Sequence, residues 1–187
     1  GGPVAFTPGD NGLAPTLWAR DLLRCLADDL PCEGKGQDVF LMDSSNMQPE
    51  EWAVLACAVQ EALRDSDGAV ITHGTDTMAY TAAALSYLVQ DSPKPIILTG
   101  AQKPIWFDGT ASKRNLTVAF LYACRGCGGV QIVFNGRVIM GTRARKTYSK
   151  SFRAFPSVNY PDLAVVQDEH LLQYIRCESR PRPLFYD

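Results

Sequence analysis

Short apolar runs alternate with stretches of helical periodicity along most of this chain. Three runs are typical of buried strands, at Ala69 to Thr72, Pro95 to Thr99 and Val130 to Phe134. Between them, the spacing of apolar residues predicts helices from about Thr77 to Val89 and from Ser112 to Cys124. Strands that alternate with helices indicate a sheet covered on both faces. We therefore predict an α/β fold with three α/β/α layers and a mostly parallel sheet.

The same patterns predict further elements around this core. A helix is expected to begin near Pro49, because proline suits the first helical position and apolar residues follow at helical spacing: Trp52, Leu55, Ala56, Val59 and Leu63. Asn135-Gly136 predicts a type I′ hairpin that leads into a strand from Arg137 to Met140. A helix from Pro15 to Asp28 and short strands at Asp38 to Met42 and Ala164 to Gln167 complete the prediction.

Small and polar residues follow three of the predicted strands. The clusters are Asp43 to Asn46, Gly74 to Thr77, and Thr99 to Gln102. Since parallel strands bring their carboxyl ends to one edge of a sheet, we expect the clusters to converge in one crevice. Backbone N–H groups there suit a carboxylate or an oxyanion, and Asp76 suits an amine, so the pocket fits an amino acid. The alternative is three unrelated turns.

The Gly74 to Thr77 cluster carries the strongest signal. Thr75 and Asp76 follow a buried strand directly and precede a helix. An ordinary capped loop needs one such side chain, whereas three polar side chains follow one another here. A fourth segment, Gly141 to Thr147, is basic, and is either a solvated surface stretch or the source of one buried lysine beside a threonine. Such a lysine takes a proton from a hydroxyl when it is neutral, and an activated threonine is a nucleophile.

Composition narrows the class of protein. The length of 187 residues suits one domain with a core. The formal net charge of −2, with mixed signs, gives no reason to expect a nucleic acid or membrane partner. No apolar run is long enough to span a bilayer. Six scattered cysteines favour reduced, partly buried thiols in a cytosolic protein. Cys124-x-x-Cys127 lacks a second pair, so we interpret it as a coincidence at a helix end rather than a redox or zinc motif.

In these four segments the chain resembles the amino-terminal domain of the L-asparaginase family, in its bacterial cytoplasmic (type I) branch. The resemblance rests on strings that cover nearly the whole chain: Asp-Asn-Gly-Leu-Ala-Pro at 10–15, Asp-Ser-Ser-Asn-Met-Gln-Pro-Glu at 43–50, Ile-Thr-His-Gly-Thr-Asp-Thr-Met-Ala-Tyr-Thr at 71–81, Leu-Thr-Gly-Ala-Gln at 98–102 and Phe-Asn-Gly-Arg-Val-Ile-Met-Gly-Thr-Arg-Ala at 134–144. The His-Gly-Thr-Asp-Thr string is specific, because it follows a strand and has its companions in order.

The resemblance implies hydrolysis of L-asparagine to L-aspartate and ammonia, through a threonine nucleophile and an acyl-enzyme, without metal or cofactor. By position, Thr75, Asp76 and Lys146 form a Thr-Asp-Lys triad, and Asp76 also holds the substrate α-amine. Ser44 and Ser45 hold the α-carboxylate and neighbouring groups. The backbone at Ala101 helps to polarise the amide oxygen.

Two departures from the family pattern qualify this expectation. The family begins with a hydrophobic strand and Thr-Gly-Gly-Thr, whose last threonine is the usual first nucleophile, but Pro3 stands there in the ungapped match. Proline has neither a hydroxyl nor an N–H. Residues 1–187 are expected to be a single domain, with a linker edge at 177–187 and without the smaller carboxy-terminal domain. The family completes its site across a homodimer or homotetramer, so we expect this piece alone to be inactive.

Two other functions stay open. One is a non-catalytic amino-acid-binding or interaction module derived from the same domain. The other is the amidase subunit of a tRNA-dependent amidotransferase, which shares the His-Gly-Thr-Asp-Thr string but finds no support in a basic patch here. Glutamine as a substrate also stays open, because one methylene is worth only about 1–3 kcal/mol in a pocket.

Overall fold

A mixed sheet with helices on both faces forms the centre of the molecule. The computed structural model describes residues 6–9, 12–15, 19–26, 28–30, 32–39, 44–100, 109–147, 155–167 and 170–176. The strands in chain order are β1 (Phe6–Gly9), β2 (Gly12–Pro15), β3 (Ala69–Thr72), β4 (Pro95–Thr99), β5 (Gly129–Phe134), β6 (Arg137–Met140), β7 (Ala164–Gln167) and β8 (His170–Gln173). The helices are α1 (Ala19–Leu26), α2 (Pro49–Asp65), α3 (Met78–Leu88) and α4 (Gly109–Arg125), with a 3₁₀ turn at Ser44–Asn46.

The described sheet has the order β3-β4-β5-β6-β7-β8, and β1 pairs with β2 in a separate hairpin. The pairs β3–β4 and β4–β5 are parallel, whereas β5–β6, β6–β7 and β7–β8 are antiparallel. The α/β class and the three layers are confirmed, but the described strands form a mixed sheet rather than the mostly parallel one expected. Two residues join β5 to β6 and two join β7 to β8, and a connection this short can only join antiparallel neighbours.

Two apolar cores lie on opposite faces of the sheet. Ile96 and Leu98 of β4 pack with α2 and α3, and Ile97 packs with α4. This alternation follows from the two-residue period of a strand. Every residue of β4 is buried, as expected for a strand covered on both sides.

The two crossovers in the parallel part have opposite hands. The chain moves from β3 through α3 to β4, and from β4 through α4 to β5, in one direction across the sheet. Because α3 and α4 belong to cores on opposite faces, one of these crossovers is left-handed. About 98% of such connections are right-handed, so this topology is unusual, and it lies beside the polar strand ends.

Local chemistry explains where α2 begins and ends. Pro49 occupies its first turn, and the Gln48 N–H donates to the Glu51 carboxylate at 2.7 Å, which satisfies an otherwise unpaired group at the helix start. At the other end, the Lys94 ammonium donates to the carbonyls of Leu63 and Ser66 at 2.5 and 2.8 Å. A cation there complements the negative end of the helix dipole.

The predicted hairpin between β5 and β6 is confirmed. Asn135 and Gly136 have φ values of 50° and 73°, the pair of positive values that a type I′ turn requires. The turn is held by Asn115 of α4, whose Oδ1 accepts the Asn135 N–H at 2.8 Å.

Other predictions differ from the structure in the first and last parts of the chain. The first helix begins at Ala19 rather than Pro15, which belongs to β2. Asp38 and Val39 are not part of a strand, and residues 40–43 lie outside the described residues, as do 177–187. β8 follows β7 without having been predicted, because His170 to Gln173 is mostly exposed and lacks an apolar run.

The cysteines correct a further expectation. Cys32, Cys57 and Cys124 are free but exposed rather than partly buried, so their thiols do not contribute to the apolar cores. Cys127 is disulfide-bonded, so the expectation of reduced thiols fails there. Among the described residues, no helix has the length and apolar character needed to cross a membrane.

Leu98→Ala tests the central position of β4. Leu98 is fully buried, so truncation should lower the free energy of unfolding by about 2–5 kcal/mol. Denaturant titration measures this change. Val54→Ala is the matched control, since Val54 is 52% exposed on α2 and should change stability by less than about 0.5 kcal/mol. Equal effects of the two variants would contradict the assignment of the core.

Candidate active site

The turn between β3 and α3 brings polar side chains to the carboxyl end of a buried strand. Thr75 is 8% exposed, whereas Asp76 is exposed. Thr77 is the N-cap residue of α3, but its side chain makes no capping hydrogen bond. Its hydroxyl instead donates to the Ser44 carbonyl at 2.8 Å. The hydroxyl of Thr77 therefore joins two parts of the chain, and an ordinary capped loop does not account for this turn.

The first and second polar clusters lie in direct contact. Ser44 is 5% exposed, and its hydroxyl and Cβ occupy the space that a Cβ on residue 74 would need. Only glycine at position 74 permits this approach without displacement of Ser44. Ser45 is exposed in the same 3₁₀ turn. The structure thus places Ser44 against the Thr75 turn, and Ser45 is the next residue along the chain.

Lys146 completes the cluster from the fourth segment. Its Nζ donates to Thr75 Oγ1 at 3.2 Å and also to the carboxylate of Asp76. The Lys146 side chain is 16% exposed and the Asp76 side chain is 65% exposed. A hydroxyl, an amine and a carboxylate therefore lie within one hydrogen-bonded group. The amine can exchange a proton with the hydroxyl, and the exposed carboxylate has oxygen lone pairs left for a ligand.

The segment that carries Lys146 is fixed by contacts just before the lysine. Ala144 forms a β-bridge with Ser157, and the Val158 N–H donates to the Arg143 carbonyl at 2.8 Å. Nearby, Arg137 forms a two-point ion pair with Asp162 at 2.7 and 2.9 Å. Such paired contacts limit the movement of the loop backbone, so the position of the Lys146 backbone is determined by β6 and residues 155–163.

The third cluster contributes differently from the sequence-based expectation. The Thr99 hydroxyl donates to the Val133 carbonyl at 2.7 Å and is fully buried, so it joins strands and does not face a crevice. Gly100 is held by Asn115, whose Nδ2 donates to its carbonyl at 2.9 Å. Ala101 and Gln102 lie outside the described residues, and the role expected for the Ala101 backbone stays a prediction.

A buried hydrogen-bonded chain supports the Thr75 turn from behind. His73 is 2% exposed; its Nδ1 lies 2.6 Å from the Gly74 carbonyl, and its Nε2 lies 2.9 Å from Thr81 Oγ1 and 3.0 Å from Met47 Sδ. The Trp52 Nε1–H donates to Thr81 Oγ1 at 2.9 Å. Burial lowers the pKa of His73 to about 4, so the ring is neutral near pH 7.

The sequence patterns assign no role to this chain of side chains. Helical spacing places Trp52 in the apolar stripe of α2 and gives no sign of a partner for its indole N–H. A signal is nevertheless present in Thr81, a hydroxyl on an otherwise apolar helix face, and in a histidine that follows a buried strand. Among the described residues, no three histidine, cysteine or acidic side chains are grouped to hold a metal ion.

The chain is similar to known proteins of one family along nearly its whole length. Residues 1–177 match the family profile described as "Asparaginase, N-terminal". The chain belongs to the asparaginase family. It is 39% identical over 189 residues to an L-asparaginase of Thermococcus kodakarensis, a match that covers 99% of this chain and 57% of that protein. A structure of the thermostable L-asparaginase from Thermococcus kodakarensis superposes with a TM-score of 0.85 at 38% identity, covering 96% of this chain and 56% of that one.

Members of another class are also similar to this asparaginase-family chain. A glutamyl-tRNA(Gln) amidotransferase subunit of Methanococcus vannielii is 37% identical over 161 residues, which cover 81% of this chain and 38% of that protein. The chain spans 57% of the length of the Thermococcus relative and 38% of the length of the Methanococcus relative. Family membership therefore applies to this domain, and the activity of a whole protein is a separate question.

Gly74→Ala tests the close approach of the first two clusters. The new methyl group overlaps Ser44, so the variant should lose about 1–3 kcal/mol of stability through overpacking. Adding Ser44→Gly removes the Oγ and Cβ atoms that the methyl group meets. The double variant should therefore recover part of the loss, as measured by denaturant titration in a double-mutant cycle. Strictly additive losses would show that the two residues do not touch.

The pH dependence of stability tests the neutral, buried state of His73. His73 takes up its proton near pH 6.5 in the unfolded chain and near pH 4 in the folded chain. Acidification across this range therefore favours unfolding. The loss should reach roughly 3 kcal/mol at pH 4 relative to pH 7.5. His73→Asn should remove this component, which is read as the difference between the stability-versus-pH curves of the two proteins. Parallel curves would contradict the assignment.

Proposed function

We propose that the protein containing this chain is an amidohydrolase that converts L-asparagine to L-aspartate and ammonia. The observation that carries the proposal is the position of Lys146 Nζ, 3.2 Å from Thr75 Oγ1 and paired with Asp76, in a domain of the asparaginase family. This arrangement supports a Thr-Asp-Lys triad with Thr75 as the nucleophile. A base adjacent to a weakly nucleophilic hydroxyl is the general requirement for its activation.

The proposed reaction has two steps. In its neutral form, Lys146 accepts the proton of the Thr75 hydroxyl as the oxygen bonds to the side-chain amide carbon of asparagine. The carbon–nitrogen bond then breaks, and the nitrogen leaves as ammonia with a proton returned from Lys146. Water then attacks the carbon of the resulting ester and gives its proton to Lys146. Lys146 returns the proton to the Thr75 oxygen as the ester bond breaks, which releases aspartate and restores the Thr75 hydroxyl.

The polar neighbours fit the remaining groups of an amino acid. Asp76 is exposed and retains acceptor capacity for an α-ammonium group. Ser44 and Ser45 are proposed to hold an α-carboxylate through hydroxyl and backbone donors. The backbone at Ala101 is proposed to polarise the amide oxygen, as the family resemblance implies. Small polar groups of this kind fix the orientation of a ligand in its pocket.

The same proposal covers the setting of the whole protein. We infer that it works in the cytoplasm as a homodimer or homotetramer, with a smaller second domain that completes the site and with L-asparagine as its small-molecule substrate. No metal or cofactor takes part. Residues 1–187 form one domain in this view.

Substitution of the triad in the full-length protein tests the mechanism. Thr75→Ala and Lys146→Met should each lower the rate of ammonia release from asparagine by about 10²–10⁴-fold or more, with circular dichroism unchanged. Lys113→Met is the matched control, because Lys113 is an exposed lysine whose recorded ion pair is with Asp29 on the surface. Retained turnover in both triad variants would overturn the mechanism.

A second candidate function has support in the similarity to a glutamyl-tRNA(Gln) amidotransferase subunit. In that case the domain would release ammonia for a partner rather than to solvent, whereas the non-catalytic module left open by the sequence would bind an amino acid without turnover. Calorimetry with aspartate and an ammonia assay with asparagine distinguish these cases in the full-length protein. Binding without ammonia release favours the non-catalytic module, and release that needs a partner protein favours the amidotransferase.

A further inference from the structure

The hydrogen-bonded side chains buried behind the Thr75 turn have one consistent arrangement of protons. The Gly74 carbonyl can only accept, so at 2.6 Å His73 Nδ1 must carry the hydrogen. The neutral ring then has a lone pair on Nε2, which accepts the Thr81 hydroxyl proton at 2.9 Å. The Thr81 oxygen in turn accepts the Trp52 indole N–H. Donors and acceptors therefore follow one direction, from Trp52 through Thr81 and His73 to the Gly74 carbonyl.

The last bond of this chain fixes a peptide plane. The described peptide bonds include no cis form, so the Gly74 carbonyl and the Thr75 N–H point in opposite directions. Because His73 holds the carbonyl, the Thr75 N–H is directed away from the imidazole ring. The same residue carries the Oγ1 that receives the Lys146 hydrogen bond. A rotation of this peptide would move the hydroxyl relative to the amine.

We propose that Thr81 is a positioning residue: by donating to His73 Nε2 it reinforces the Nδ1–H form that the Gly74 carbonyl requires, and thereby fixes the Gly74–Thr75 peptide for the reaction of Thr75. Its effect on catalysis rests on the proposed function, whereas its effect on His73 does not. Thr81 is fully buried on α3. Its side chain reaches the turn through the imidazole, and its hydrogen bonds in the described part of the chain include none to Lys146 or Asp76.

Removal of the Thr81 hydroxyl takes away the donor to Nε2, so that the Nε2–H form of the ring can compete with the Nδ1–H form. Met47 Sδ lies 3.0 Å from Nε2 and would then be the remaining acceptor for an Nε2–H. In that form Nδ1 has a lone pair, which repels the Gly74 carbonyl at its present distance of 2.6 Å. The carbonyl would turn away, and the Thr75 N–H would move with it.

Nuclear magnetic resonance of the full-length protein tests the effect on His73 without substrate. Residues 1–187 contain two histidines, His73 and His170. His170 is exposed, so its signal serves as an internal reference. In ¹⁵N-histidine-labelled wild type, His73 should be in the Nδ1–H form at neutral pH. Thr81→Val should populate the Nε2–H form and shift the Thr75 amide resonance. Thr81→Ser keeps the hydroxyl and should restore both signals.

Steady-state kinetics test the effect on catalysis. Thr81→Val should lower kcat for asparagine about 10- to 100-fold with KM within about twofold, since small displacements of reacting groups cost rates of this size. Thr81→Ser should stay within about threefold of wild type. Thr117→Val is the matched control, because the Thr117 hydroxyl bonds only within its own helix among recorded contacts. Trp52→Phe, which removes the donor to Thr81, serves as a second variant with a smaller effect in the same direction.

The outcomes separate this inference from the proposed function. An unchanged His73 form and Thr75 amide in both Thr81→Val and Trp52→Phe would overturn it. A changed form with unchanged kcat would overturn the positioning role. If wild type releases no ammonia from asparagine, the proposed function fails, and the resonances still decide whether Thr81 fixes the peptide.

Discussion

The contact on which the candidate site depends joins Lys146 to the turn after β3. Lys146 follows Thr75 by 71 residues, so the contact exists only because β3, β4, β5 and β6 lie side by side. The ammonium is largely screened from solvent and pairs with Asp76, which retains an exposed carboxylate. A burial of this kind is tolerated because the charge is paired and hydrogen-bonded. Loss of the Lys146 side chain would deprive both Thr75 and Asp76 of this partner.

The close approach at Gly74 is the steric counterpart of that contact. A polar turn at the end of a buried strand is ordinary in α/β sheets, but here a second segment packs directly on it. Ser44 fills the space that a side chain at position 74 would take. The first two clusters therefore form one surface, and Lys146 reaches the same turn from a distant part of the chain.

The support behind the turn is as important as the groups at its front. Catalytic groups need positions fixed to a fraction of an ångström, and neighbouring hydrogen bonds commonly provide this. His73, Thr81 and Trp52 form such a support in the apolar space between β3, α2 and α3. Asn115 has a similar task at the next strand end, where it bonds to both Gly100 and Asn135. The strand ends are thus held by polar side chains that take no direct part in the candidate ligand site.

Hydrophobic periodicity and turn chemistry by themselves determined the elements of the central region. β3, β4, α2 and the Asn135-Gly136 hairpin follow from local patterns, because burial of β4 or a positive φ leaves a direct mark on residue type. The family resemblance also identified Thr75, Asp76, Ser44 and, by position, Lys146 as candidates. Only the tertiary structure decided that Lys146 lies against Thr75 and is mostly screened from solvent, that Thr99 joins strands, and that the sheet is mixed. These features depend on contacts between residues distant in sequence, and neither a periodicity nor a cap records which distant backbone will lie alongside.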